Sequence, residues 1–137
     1  MARAVGFGVT IPYQFRGDFH VLKRVAEECD GLGVDSLWMP DHVQLVAGPY
    51  LETWTTLSAL ASATERVRLG TIVLCNSFRH PSLVAKMAAS LDVISGGRLE
   101  LGLGAGWMRE EYEAYGYGFP SAKERIAQLR EAVRVIR

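Results

Sequence analysis

Apolar segments with the character of strands alternate with amphipathic segments along this chain, repeating at intervals of roughly 30 residues, the size of a βαβ unit. Short apolar runs bounded by glycine, proline or polar residues predict four strands: Ala4–Val9, Ser36–Met39, Val67–Leu74 and Arg98–Leu103. Apolar residues at helical spacing follow each strand, and a second helix closes the chain. The order βαβαβαβαα indicates an α/β fold with a parallel sheet.

Helix ends are predicted from capping residues. Asp18 is placed to cap the first helix, and Gly31 and Gly33 to end it. His80 precedes Pro81 at the start of the third helix, where a capping role is expected. Ser121 is followed three residues later by a glutamate, which is capping-box spacing for the last helix.

Two parallel architectures fit this order, a doubly wound nucleotide-binding sheet and a (β/α)₈ barrel. A dinucleotide fingerprint needs Gly-x-Gly-x-x-Gly after the first strand. The run here, Gly102 to Gly106, follows the fourth strand, and Trp107 stands where the third glycine belongs. We interpret the run as a segment without side chains, whose backbone can lie against a flat ring or substrate. The alternative is a tight turn that binds no ligand.

In both architectures ligands bind at the carboxyl ends of the strands. Tyr13 follows the first strand, Asp41 and His42 the second, Cys75 the third and Trp107 the fourth. This set suits a flat, partly apolar organic ligand with proton transfer nearby, and it lacks the metal clamp of phosphoryl transfer. The alternative is that Asp41 caps a loop and His42 merely packs.

Composition narrows the function further. Fifteen basic residues balance fifteen acidic ones, so neither a nucleic-acid partner nor a membrane surface is indicated. The two cysteines, Cys29 and Cys75, lack the spacing of metal ligands, and we expect no metal. Buried free thiols in a reducing cytoplasm are the favoured interpretation, with a disulfide as the alternative. No signal peptide or membrane-spanning run is recognised.

Four segments together carry a family resemblance: GVDSLWMPDHV from Gly33, ERVRLGTIVL from Glu65, RHPSLVAKMAASLDVISGGRLELGLGAGW from Arg79 and EEYEAYG from Glu110. Nearly the whole chain resembles the luciferase-like monooxygenases, above all the branch that uses the deazaflavin coenzyme F420. The joint pattern is specific, although each piece alone is not.

The resemblance implies a (β/α)₈ TIM-type barrel of which this chain holds only the first four βα units. Residues 1–137 would then be the N-terminal half of a single domain with no internal boundary. It implies a cofactor ring backed by a bulge in the third strand, with a non-prolyl cis peptide between Ile72 and Val73. The cofactor-binding residues implied are Ile72, Val73, Leu74, Cys75, Gly104, Ala105 and Gly106.

The resemblance also implies the chemistry. Asp41 and His42 match the family's Asp-His pair, whose histidine lies near the ring carbon that exchanges hydride, so both are candidate catalytic residues. Tyr13 and Trp107 are the candidate substrate-pocket residues. Some members that oxidise sugar phosphates have glutamate where Trp107 stands, so a less polar substrate is expected, unless Trp107 is simply core packing.

We therefore predict an oxidoreductase that moves hydride between coenzyme F420 and a small organic molecule. One alternative is a flavin mononucleotide (FMN)-dependent monooxygenase, and another is a non-catalytic half-barrel that only binds or assembles. The expected protein partner is a second copy of the chain or the missing C-terminal half of the barrel. Strand alternation further predicts that Arg68 and Glu100 form a buried ion pair inside the barrel wall.

Overall fold

The computed structural model describes residues 5–11, 17–45 and 48–137 of the chain. Within these ranges the strands are β1 (Gly8–Thr10), β2 (Ser36–Met39), β3 (Arg68–Thr71), β4 (Leu74–Cys75), β5 (Leu99–Glu100) and β6 (Leu103–Gly104). The α-helices are α1 (Phe19–Leu32), α2 (Thr53–Ala63), α3 (Pro81–Ser95), α4 (Arg109–Ala114) and α5 (Ala122–Ile136). The predicted alternation of strands and helices is confirmed.

All strand pairs are parallel, as predicted. Strands β1, β2, β3 and β5 form one sheet in that order, and β4 pairs separately with β6. The predicted third and fourth strands are thus each divided in two, because the chain leaves the four-stranded sheet after Thr71 and after Glu100. The peptide bond between Ile72 and Val73, at the break between β3 and β4, is cis as the resemblance implied.

The capping residues act largely as predicted. The Asp18 side chain accepts hydrogen bonds from the first turn of α1, and Gly33 ends that helix in the left-handed conformation. Gly31 lies within α1 and does not help to end it. The His80 side chain caps α3, and the capping box at Ser121 opens α5.

Other boundaries differ from the sequence expectation. The first strand begins at Gly8, and Ala4, its predicted start, lies outside the described residues. A short 3-10 turn occupies Asn76–Phe78, between β4 and α3. Across the described ranges, no helix combines the length and apolar character needed to cross a bilayer.

The core lies between the sheet and α1, α2 and α3. Alternate strand residues such as Leu37 and Leu69 are fully buried against these helices. On the opposite face of the sheet the indole of Trp38 lies across its neighbours. A Cβ on Gly8 would come 2.8 Å from its Nε1, and one on Gly70 would come 2.3 Å from its Cε3. Glycine at these two positions therefore makes room for Trp38.

Arg68 and Glu100 are in contact, as predicted. The Arg68 Nε donates to Glu100 Oε1 at 2.6 Å, between adjacent strands β3 and β5. The expected burial is wrong, since the two side chains are 45% and 44% exposed. Water therefore reaches the pair.

Candidate functional site

A pocket of about 320 Å³ opens at the carboxyl ends of the strands. It brings His42, after β2, together with Ile72 and Val73, between β3 and β4, and with the segment from Gly104 to Trp107. The structure thus brings these residues of the predicted site to one pocket. The remaining lining residues are Pro40, Asp41, Cys75 and Glu111.

Two predicted residues are not seen to line this pocket. Leu74 is not among the residues that line the pocket, and its side chain is fully buried in the core. Tyr13 lies outside the described residues. Asn76 and Ser77, which also follow the third strand, line a larger groove of about 570 Å³ between the start of α3 and α5. We place the candidate site in the smaller pocket because the strand ends converge there.

Asp41 is held by an extensive set of donors. Arg79 donates to both of its carboxylate oxygens, at 2.7 and 2.9 Å, and the backbone N–H of Cys75 donates to Oδ2 at 2.8 Å. Arg79 also pairs with Glu52, the residue that caps α2. Burial alone would lower the pKa of the Arg79 guanidinium, but the two ion pairs outweigh that effect and raise it. These contacts hold the Asp41 carboxylate in a fixed position.

His42 has a buried acidic partner that the sequence analysis missed. Its Nδ1 lies 3.0 Å from Oε1 of Glu111, and both side chains are almost completely buried. Two aromatic rings, those of Tyr50 and Trp107, stand edge-on to the imidazole at centroid distances of 6.5 and 6.1 Å. The contact with Glu111 satisfies one ring nitrogen of the buried imidazole.

Cys75, which lines the pocket, contacts Tyr112. The thiol lies 3.1 Å from the phenol oxygen, and both residues are buried. Burial raises the pKa of the Cys75 thiol, and burial together with the contact to that thiol raises the pKa of Tyr112. Cys29 is likewise buried, and both cysteines are free thiols, as favoured from the sequence.

Contacts within the chain explain why glycine occupies positions 104 and 106. A Cβ on Gly104 would come 2.3 Å from the Val73 side chain. Gly106 has a φ of 76°, and a Cβ added there would come 1.9 Å from the Tyr112 hydroxyl. Packing within the chain thus requires these glycines whether or not a ligand binds, while their backbone, with that of Ala105, lines the pocket.

One wall of the pocket is apolar, and its edge is polar. Ile72 and Val73 present aliphatic side chains that are 48% and 44% exposed, and His42 and Glu111 supply the polar edge. Among the lining residues that the structure describes, none is a lysine or an arginine. The pocket therefore fits a flat, largely apolar ring better than a phosphate.

Two residues that contact the candidate pair Asp41 and His42 escaped the sequence analysis for the same reason. Arg79 lies 38 positions from Asp41, and Glu111 lies 69 positions from His42. Neither partner can be read from local spacing. The usable signal is that Glu111 follows the fourth strand at the same end of the sheet as His42.

The chain matches a known protein family over most of its length. The family model of the luciferase-like monooxygenases matches residues 5–137. An F420-dependent glucose-6-phosphate dehydrogenase from Kineococcus radiotolerans is 40% identical over 116 residues, which is 82% of this chain and 34% of that protein. The chain thus spans about a third of the length of the curated relatives it matches.

The solved structures of a monooxygenase and of an F420-dependent dehydrogenase show the same fold over nearly the whole chain. The monooxygenase RslO1 from Streptomyces bottropensis superimposes with a TM-score of 0.83 and 31% identity, covering 96% of this chain and 42% of that one. An F420-dependent secondary alcohol dehydrogenase, solved with an F420-acetone adduct, superimposes with a TM-score of 0.81 and 26% identity, covering 99% and 41%.

Proposed function

The chain belongs to the luciferase-like monooxygenase family, and we propose that it forms the first four βα units of a (β/α)₈ barrel that transfers hydride between coenzyme F420 and a small organic molecule. The observation that carries this proposal is the pocket at the strand ends, where His42 stands beside the aliphatic wall of Ile72 and Val73. The F420-dependent relatives support the choice of cofactor. A cytoplasmic location fits the two free thiols.

The described residues fit the ring of a deazaflavin. Ile72, Val73 and the backbone of Gly104 offer it an apolar surface, and His42 lies at the edge of that surface. A bound deazaflavin would supply the hydride acceptor or donor. The chain's own contribution is to hold the ring, to exclude water on the Trp107 side and to move a proton at His42. Phosphate-binding cations would have to come from outside the described lining of the pocket.

Two observations bear on the class of substrate. The curated relatives are named for glucose-6-phosphate, whereas Trp107 puts a large indole where some sugar-phosphate-oxidising members have a glutamate. We favour a less polar substrate because the indole is 68% exposed at the pocket and offers no charge.

The decisive experiment is a titration of the full-length gene product with oxidised coenzyme F420 and, separately, with FMN. Binding of F420 alone, with reduction of the bound deazaflavin by an alcohol, would support the proposal. Binding of FMN alone would support the second candidate, an FMN-dependent monooxygenase, which the likeness to RslO1 favours. Binding of neither would support a half-barrel that only binds or assembles.

A further inference from the structure

Three polar side chains connect the candidate pocket with the groove beside it. Cys75 lines the pocket, Ser77 lines the groove of about 570 Å³, and the buried Tyr112 contacts both residues. The Cys75 thiol lies 3.1 Å from the Tyr112 hydroxyl, which also has a hydrogen bond with the Ser77 side chain. We infer that Ser77, Tyr112 and Cys75 form a proton relay between the groove and the pocket. The role of this relay in turnover rests on the proposed function.

The local fold explains why these three groups meet. The 3-10 turn of Asn76–Phe78 begins directly after Cys75, so the side chains at positions 75 and 77 reach the same hydroxyl. Gly106 leaves room for that hydroxyl, since a Cβ there would come 1.9 Å from it. Tyr112 is not one of the described residues that line either cavity. A proton therefore reaches its oxygen through its two partners.

The contacts of Tyr112 set the direction of the hydrogen bonds. Burial and the contact to Cys75 raise the pKa of the phenol, whereas the hydrogen bond with Ser77 opposes that shift, as a donor to the phenol oxygen does. A phenol has only one hydrogen, so the hydrogen of Tyr112 points to the Cys75 sulfur. The thiol then keeps its own hydrogen for an acceptor in the pocket.

In this orientation a proton passes inward by a series of exchanged bonds. The S–H bond of Cys75 breaks as the acceptor in the pocket gains the hydrogen. The Tyr112 hydrogen moves to the sulfur, and the Ser77 hydrogen moves to the phenol oxygen. Ser77 regains a proton from the groove, where His80 and Glu131 are exposed titratable groups. Rotation of the two hydroxyls and the thiol reverses the direction.

The relay suits a pocket that is covered during the reaction. A substrate that gains or loses hydride also gains or loses a proton, and this proton must cross between the pocket and water. A ring and a substrate in a pocket of about 320 Å³ would exclude water from it. Burial raises the pKa of both the Cys75 thiol and the Tyr112 phenol, so both stay protonated and neutral at neutral pH. The relay thus spans the core without a resting charge.

The experiment is ¹³C NMR of the full-length protein, labelled at the Cζ of its tyrosines, in an equal mixture of H₂O and D₂O. A hydroxyl that exchanges slowly gives separate O–H and O–D signals, whereas rapid exchange gives one averaged signal. Tyr112→Phe identifies the Tyr112 signal by its loss. We expect one averaged signal in the natural protein, although this side chain is completely buried. We expect two separate signals in the variant that combines Cys75→Ala with Ser77→Ala.

Separate signals in the natural protein would overturn the inference without any variant, because the contacts would then only satisfy buried polar groups. An averaged signal that persists in the folded double variant would overturn it as well, since exchange would then come from local opening. The matched control combines Cys29→Ala with Ser58→Ala, a buried cysteine and a half-buried serine that line neither cavity. It should keep the averaged signal.

The role in turnover has its own measurement. If the proposed function holds, Ser77→Ala should lower turnover by about 10²-fold with unchanged affinity for coenzyme F420, and added imidazole, a small proton carrier, should restore most of it. Imidazole should not accelerate the natural protein or Ser58→Ala. Unchanged turnover in Ser77→Ala, or a loss that imidazole does not restore, would overturn this role. Absent binding of F420 would overturn the proposed function instead and would leave the NMR result intact.

Discussion

Arg79 donates two parallel hydrogen bonds to Asp41, from Nη1 to Oδ2 at 2.7 Å and from Nη2 to Oδ1 at 2.9 Å. The Asp41 side chain is completely buried and the Arg79 side chain nearly so. Because Arg79 also reaches Glu52 and Asp41 also holds the N–H of Cys75, the pair ties the end of β2 to α2 and β4. These segments surround His42, so the ion pair holds the site in shape.

Asp41→Ala should lower the free energy of unfolding of the full-length protein by about 3–5 kcal/mol, because it leaves a buried guanidinium with one partner fewer. Urea denaturation measures the change. Glu27→Ala is the control, since its pair with Lys23 is well exposed, and it should cost less than about 0.5 kcal/mol. An Asp41→Ala effect no larger than the control would show that the pair does not stabilise the fold.

Gly106→Ala should be destabilising by about 1–3 kcal/mol, since the new Cβ meets Tyr112 and Cys75 and the backbone is left-handed. Gly118→Ala is the matched control, because nothing lies within 4 Å of a Cβ there. Thermal unfolding of both variants compares them directly. Equal melting temperatures for the two would contradict the packing that the structure shows around Gly106.

The sequence predicts most of what is local. Caps at Asp18, His80 and Ser121 predicted helix starts correctly because each cap depends only on the next few residues. Parallel pairing followed from the alternation of strands and helices. The cis bond between Ile72 and Val73 came from the family resemblance alone, because no local pattern distinguishes it.

What the sequence could not predict depends on contacts between distant segments. The division of the fourth strand needs the close approach of Gly102 to Thr71, whose carbonyl oxygen would lie 2.3 Å from a Cβ at position 102. Glu111 looks like one of three acidic residues on a short helix. Only the fold shows that its neighbours Glu110 and Glu113 face solvent while Glu111 is buried against His42.

The free energy of unfolding should fall as the pH rises above about 9. Burial raises the folded-state pKa of Cys75 above its ordinary 9.0 and that of Tyr112 above its ordinary 10.0. The unfolded chain therefore releases these protons at a lower pH than the folded chain does. The stability that the neutral groups contribute is fully present below pH 9 and is lost progressively above it.

Urea denaturation between about pH 8 and about pH 11 measures this dependence. In Tyr112→Phe one of the two groups no longer titrates, so stability should fall less steeply with pH even though the variant starts less stable. Identical slopes for the natural protein and Tyr112→Phe would contradict the shift assigned to Tyr112.

Trp107→Ala should change substrate selection and leave the fold intact. The indole is largely exposed, so the free energy of unfolding should change by no more than about 0.5 kcal/mol. Loss of its apolar contact should lower kcat/KM for apolar alcohols by about 10–100-fold. Affinity for coenzyme F420 should stay the same, and a loss of that affinity would reassign Trp107 to the cofactor.

The 137-residue chain on its own should not behave as a stable monomer. Strands β1 and β5 are the two edges of the four-stranded sheet, and unpaired backbone groups on parallel edges invite pairing with another chain. Phe7, Ile72 and Val73 are 71%, 48% and 44% exposed. Full burial of such a side chain is worth about 1.5–3 kcal/mol, and the net stability of a domain is about 5–15 kcal/mol.

A few such exposures remove much of that stability, so the isolated chain should associate edge to edge or melt without cooperativity. Sedimentation of the purified chain at several concentrations, together with a thermal scan at the lowest one, distinguishes these outcomes from independent folding. The full-length gene product is the control and should melt cooperatively. A compact monomer of the isolated chain with a sharp melt would contradict this prediction. It would mean that four βα units suffice for stability, even with Trp38 and the pair of Arg68 and Glu100 in contact with water.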